Sequence, residues 1–277
     1  MKNKLYLVKL TVALIFCTEF SYSQEFGIQL YSLRNEFKVD IEKSIKSISD
    51  WGIKIVEGGD LYGMQSKDFL NLLNKYNIKT VSIGASFEDL KNNIEKVIAE
   101  VEKYDVKYVM CGWIPHEGDF NIENAESAIM VFNSAGEILK KKGVTLAYHI
   151  HGYEFSTYKS GTLFDYIAQN SENFSFQMDV FWVHHGGVNP LSLLNKYPNK
   201  FVMMHLKDMK KGVVGDRSGS QDIEDNVVLG SGQIDIKELV KRGSELGIKY
   251  MFIEDESSLV MKQVPLSLKF LKTINLN

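Results

Sequence analysis

The sequence predicts one eight-stranded α/β barrel. Three observations carry that expectation. Eight short apolar runs recur along the chain, amphipathic segments separate them, and the 277 residues contain only 4 prolines. Barrels of this kind take about 250 residues, and no linker or low-complexity segment divides the chain.

In chain order the runs are "FGIQLYS" (26–32), "GIKIVEGG" (52–59), "IKTVSIG" (78–84), "VKYVMCG" (106–112), "GVTLAYHIHG" (143–152), "FSFQMDV" (174–180), "KFVMMHLKD" (200–208) and "GIKYMFIED" (247–255). Continuous apolar runs of this length fit strands covered on both faces, as in a parallel sheet. The segments between them read as helices. Ile41, Ile45, Ile48 and Trp51 fall on one helical face, and Gly52 follows as a stop. Ser66 is placed as the N-cap of the next helix. "FEDLKNNIEKVIAEVEKYD" (87–105) reads as one long helix. "NAESAIMVFNSAGEILKKKG" (124–143) ends in lysines, as the helix dipole favours, and "DIKELVKRGSELG" (235–247) repeats the form. A doubly wound open sheet is the alternative, but it normally stops at five or six strands. The glycine-rich stretch from Gly212 to Gly232 reads as a mobile loop over the mouth.

The N-terminus differs from the rest. Lys2, Lys4 and Lys9 precede the apolar run "LTVALIFC", and Ser21 and Ser23 stand before Gln24. This is the pattern of a secretory signal peptide over residues 1–23, with the barrel over 24–277. A periplasmic or secreted protein is expected, free of the membrane once the leader is removed. Cleavage leaves 29 basic against 34 acidic residues, so the net charge moves from −3 to −5. An acidic surface argues against nucleic acid as a partner. Cys111 becomes the sole cysteine, in the buried-strand context "KYVMCGW", and no intramolecular disulfide is expected.

Active sites of such barrels form at the C-terminal ends of the strands. Strand two ends in Glu57. Strand five ends in "YHIHGYEF", with His149, His151 and Glu154. Strand six ends in Asp179, followed by Trp182, His184 and His185, and strand seven ends in His205 with Lys207. Strand eight ends in Glu254, Asp255 and Glu256. Any one of these has an ordinary structural role, but their coincidence on four neighbouring strands points to a divalent cation, because buried carboxylates are costly without one. Glu154, Asp179, His205 and Glu254 are the expected ligands. If the loop carries Glu154 out of reach, His149 or His151 takes its place. Mn²⁺ is favoured, with Mg²⁺, Co²⁺ or Zn²⁺ as alternatives. Glu154, Glu254, His151 and Lys207 are candidate catalytic residues. His149, Glu57, Trp113, Trp182 and His185 are candidate substrate contacts.

The chain resembles the sugar phosphate isomerase/epimerase family, the xylose isomerase-like TIM barrels. The resemblance rests on "GIQLYSLR" (27–34), "YHIHGYEF" (148–155), "QMDVFWV" (177–183), "HLKD" (205–208), "LGSGQID" (229–235) and "FIEDE" (252–256). It implies one divalent metal held by Glu154, Asp179, His205 and Glu254, with His151 a rival for Glu154. "YHxHGYEF" and "MDVFWVxHGG" are also similar to proteins that act on 3-keto-glycosides by metal-assisted elimination or hydration. The expected activity is a lyase on a keto-glycoside or keto-sugar. The alternatives are a sugar isomerase or epimerase and a non-catalytic sugar-binding barrel. The expected partner is a small-molecule sugar or keto-glycoside. Association into a homo-oligomer stays open.

Overall fold

The computed structural model describes residues 24–59 and 62–276. The expected leader, residues 1–23, lies outside them. Eight parallel strands close a barrel: β1 (Glu25–Gln29), β2 (Ile55–Glu57), β3 (Lys79–Gly84), β4 (Tyr108–Cys111), β5 (Thr145–His149), β6 (Phe174–Asp179), β7 (Phe201–Leu206) and β8 (Tyr250–Ile253). β8 pairs back onto β1, with Phe26 opposite Met251, and no barrel edge is left open. Seven strands lie inside the apolar runs, and β1 begins one residue before its run.

Side chains alternate across each strand, so residues two apart point the same way. Ile55, Val81, Ala147, Met203 and Phe252 form a small apolar cluster of their own, separate from the main core between strands and helices. They fill the barrel interior. Two residues further along the same strands stand Glu57, Ile83, His149, His205 and Glu254. The strand pattern therefore lays an apolar floor and sets a layer above it, at the C-terminal mouth, that is polar except for Ile83. Register completes the layer. Gln29 pairs with Glu57, His149 with Gln177, and Asp179 with His205.

The helices follow the expected segments with two differences. Ser66 is the first helical residue rather than the cap; Gln65 holds the N-cap position without a side-chain bond. The segment 87–105 breaks at Asn93 into Phe87–Asn92 and Ile94–Tyr104. Asparagine competes for backbone hydrogen bonds and weakens a helix interior. No described helix is long and apolar enough to cross a membrane. Cys111 is buried and free, and burial pushes its thiol up to about 12.

The Ile122–Lys141 helix covers the side of the barrel that carries β5 and β6. Asn133 accepts from the backbone N–H of Glu172 at 2.8 Å and of Asn173 at 3.0 Å. One turn on, a Cβ on Gly136 would lie 2.1 Å from the Asn173 carbonyl oxygen. Only glycine lets the helix seat this closely. Gly136→Ala should lower the stability of the fold by ~1–3 kcal/mol, the usual range for overpacking. An unchanged urea midpoint would count against this close approach.

Candidate metal centre and active site

Above the apolar floor, His149, Asp179, His205 and Glu254 each offer a ligand atom, and these atoms all lie within 4.8 Å of one another. All four residues are buried. His205 Nδ1 is 3.3 Å from Glu254 Oε2 and 3.9 Å from Asp179 Oδ2, and His149 Nε2 is also 3.9 Å from Asp179 Oδ2. Asp179 Oδ2 and His205 Nδ1 are buried with no hydrogen-bond partner. Converging imidazole and carboxylate atoms that lack partners suit a divalent cation, so this group could hold a metal ion.

Electrostatics point the same way. Burial lifts the Asp179 carboxyl to about 7. Burial alone would lower His205, but the carboxylates of Glu254 and Glu57 outweigh it and carry the ring up to about 10. Glu254 is opposed by burial too, yet Lys207 and His205 hold its carboxyl well below the usual range. Negative charge is concentrated here, and positive charge is favoured between Asp179 and Glu254. A cation and a second proton on His205 compete for that place.

The strand-five member of the group is His149, and Glu154 stands elsewhere. Gly152, at φ +93°, turns the chain after the strand, and a Cβ there would lie 2.6 Å from the Trp182 carbonyl oxygen. The turn carries Glu154 behind the strand. There it accepts from the Tyr148 hydroxyl and from the backbone N–H of His151, and burial raises its carboxyl to about 7. The strand-five alternative to Glu154 is therefore the geometry adopted, with His149 and not His151 in the group.

The other candidates separate by position. A cavity of about 1120 Å³ opens over the mouth. His149, His151, Trp113, Trp182, His205 and Glu254 line it. Burial holds the His151 ring down to about 4, so it is neutral, and its Nδ1 has no hydrogen-bond partner. Trp113 stacks on His116 at 5.1 Å and meets His151 edge-on at 5.3 Å. Lys207, expected to touch substrate, does not line the cavity. Its ammonium lies 2.5 Å from Glu256 Oε1 and 3.7 Å from Glu254 Oε2, over the rings of Phe181 and Trp182. Glu57 lies below the cavity, fully buried and hydrogen-bonded to His205. His185 is also outside the lining. Its ring nitrogens lie 2.9 Å from the Asp216 carbonyl and 2.8 Å from the Gln221 side chain, so it anchors the loop over the mouth.

That loop, expected to be loose, is held at two points. His185 fixes one side, and Gly219, Ser220 and Gln221 are thereby brought to the cavity wall. Asp208 fixes the other. Its carboxylate accepts from the backbone N–H groups of Met209, Gly230, Gly232 and Ile234. Asp208 was not among the candidate residues read from the sequence, and neither were Gln29 and Gln177. An inward-facing glutamine on a strand, two residues before an acidic strand end, was the signal available for Gln177.

A family model described as xylose isomerase-like TIM barrel matches residues 45–274. A search of curated proteins gave no match. Among solved structures, a sugar phosphate isomerase/epimerase from Parabacteroides distasonis superposes with a TM-score of 0.76 at 21% identity, covering 94% of this chain and 97% of its own. The IolI protein with a bound zinc atom gives 0.69 at 16% identity, covering 91% and 98%. A probable 3-DHS dehydratase, AsbF of petrobactin synthesis from Bacillus anthracis, gives 0.68 at 13%, covering 91% and 100%. The match across nearly all of the barrel, on a closed eight-stranded parallel sheet, makes this chain a member of the xylose isomerase-like TIM-barrel family.

Proposed function

We propose that the protein is an exported, metal-dependent lyase that eliminates or hydrates across C1–C2 of a 3-keto-glycoside or keto-sugar. The observation that carries this is the buried group of His149, Asp179, His205 and Glu254 at the base of the cavity. A divalent cation held by these four residues would supply Lewis-acid polarisation of a sugar carbonyl. Two imidazoles and two carboxylates suit Mn²⁺, Co²⁺ or Zn²⁺ better than Mg²⁺. Export rests on the leader pattern in residues 1–23.

A ketone at C3 acidifies the C2 proton. Glu254 lines the cavity and is kept ionised by the neighbouring Lys207, so it is the base that takes this proton. The same carboxylate can return the proton to the departing oxygen on the same face, which completes a syn elimination. Inversion at C2 needs a second base on the opposite face. Glu154, the carboxylate that could have served, is turned away onto Tyr148. His151 lines the cavity, where its ring would meet the substrate. The cavity exceeds the roughly 300–1,000 Å³ of most small-molecule sites, which suits a sugar that still carries its aglycone. It extends from the ligand group to Ser86, Asp89 and Lys96.

One observation favours a second reading. His151 is a neutral imidazole that lines the cavity, and it could act as the second base of an epimerase or isomerase. Incubating Mn²⁺-loaded protein with a 3-keto-glucoside in deuterated water separates the two. Release of the aglycone with loss of the C2 proton is expected, and deuterium enters C2 only where water then adds across C1–C2. Deuteration with the glycosidic bond intact would establish the epimerase reading instead, and neither event would leave a sugar-binding barrel. Removing the metal with a chelator should abolish turnover, and adding it back should restore it.

Glu254→Gln keeps the shape of the side chain but removes the base. It should cut kcat by ~10²–10⁴-fold, the usual contribution of a positioned general base. Full activity in a folded, metal-loaded Glu254→Gln variant would remove Glu254 from the mechanism. His151→Asn should raise KM and leave metal uptake unchanged, which equilibrium dialysis with Mn²⁺ would check.

A further inference from the structure

Several hydrogen bonds beneath the ligand group end on one acceptor. The buried Glu57 carboxylate accepts from His205 Nε2 at 2.5 Å and from Gln29 Nε2 at 2.9 Å. It also accepts from Gln177 Nε2, at 3.1 Å to one oxygen and 3.0 Å to the other. Oε1 of that carboxylate already receives amide protons from Gln29 and Gln177, so it is the acceptor toward His205 as well, and each contact places a proton on its partner. His205 therefore carries a proton on Nε2. Its other nitrogen, Nδ1, faces Glu254 and Asp179 at 3.3 and 3.9 Å.

The same logic runs one step further through Gln177. Its amide nitrogen is committed to Glu57, so its oxygen is turned the other way, 3.1 Å from His149 Nδ1. An amide oxygen also only accepts. His149 thus carries its proton on Nδ1 and presents Nε2, which lies 3.9 Å from Asp179 Oδ2. The two imidazoles turn opposite nitrogens toward one centre. Register builds the arrangement into the barrel, because Gln29 sits opposite Glu57 and His149 opposite Gln177.

We propose that Glu57 is a positioning residue that sets opposite tautomers in the two imidazole ligands, directly in His205 and through the Gln177 amide in His149. The proposal rests on the metal reading of the same site. It assigns Glu57 no contact with substrate. The bond made by the far nitrogen of a ligating imidazole fixes ring orientation and the basicity of the near one.

The test uses the whole protein, labelled with ¹⁵N-histidine and loaded with Zn²⁺, and reads both rings by long-range ¹H–¹⁵N correlation. The expected spectrum shows Nε2–H with zinc on Nδ1 for His205, and Nδ1–H with zinc on Nε2 for His149. Zinc on the opposite nitrogen of either ring overturns the proposal while leaving the metal reading intact. A wild-type protein that takes up no zinc refutes the metal reading and this proposal with it. Glu57→Gln should weaken zinc binding by ~10–100-fold, the range found for outer-shell partners of metal-bound histidine, and should disturb both ring patterns. Gln177→Met should disturb His149 alone. Zinc affinity within twofold of wild type in Glu57→Gln, with both ring patterns preserved, would overturn the assignment. If Glu57→Gln does not fold, the wild-type spectrum and the selectivity of Gln177→Met decide.

Discussion

Glu57, Asp179 and Glu254 are three carboxylates taken out of water within one barrel mouth. Burying an ionised carboxylate is prohibitive unless hydrogen bonds or opposite charge replace the lost hydration. Each of the three is compensated differently. Glu57 is surrounded by donors: His205, Gln29 and Gln177. Glu254 sits beside the Lys207 ammonium and His205. Asp179 receives one backbone N–H from Trp182, at 2.9 Å, and its other oxygen has no protein partner. The least compensated of the three, Asp179, is the one with a buried oxygen left for a cation.

A second shell of charge keeps this arrangement in place. Lys207 is more deeply buried than the carboxylates it serves, and its ammonium bridges Glu254 and Glu256. Arg34 closes on Glu256 from β1's side, at 3.2 Å. The chain thus alternates sign outward from the ligand group: Glu254, Lys207, Glu256, Arg34. Alternation lets each buried group lean on its neighbour. The faces of Phe181 and Trp182 beneath Lys207 add a cation–π contact and exclude water.

The barrel was legible in the sequence because all eight strands are apolar runs with turns at both ends. Asp179, His205 and Glu254 were legible because they end or directly follow their strands. Strand five was harder. His149 and Glu154 both belong to "YHIHGYEF", and only parity with Ala147 separates them. Counting in twos from an apolar floor residue reaches His149 inside the strand. Glu154 lies past Gly152, and the direction of that turn is set by contact with the Trp182–Gly186 segment, 30 residues on, which no local pattern encodes. Lys207 and His185 show a similar limit. Both stand beside site residues in sequence, yet one is captured by Glu256 and the other by the loop it anchors. The asparagine break at 93 was visible as "KNN" but was outweighed by the apolar periodicity on either side.

Asp208 also bears on which substrates the mouth can take. Loops after the last two strands are a frequent phosphate site in barrels of this architecture, because their backbone N–H groups and helix start gather around an anion. Here the amides of Gly230, Gly232 and Ile234 converge in that way, and a side chain of the same chain already occupies them. A sugar phosphate arriving there would have to displace a tethered competitor whose effective concentration no free ligand matches. The turn that Asp208 builds uses those donors to hold the loop shut.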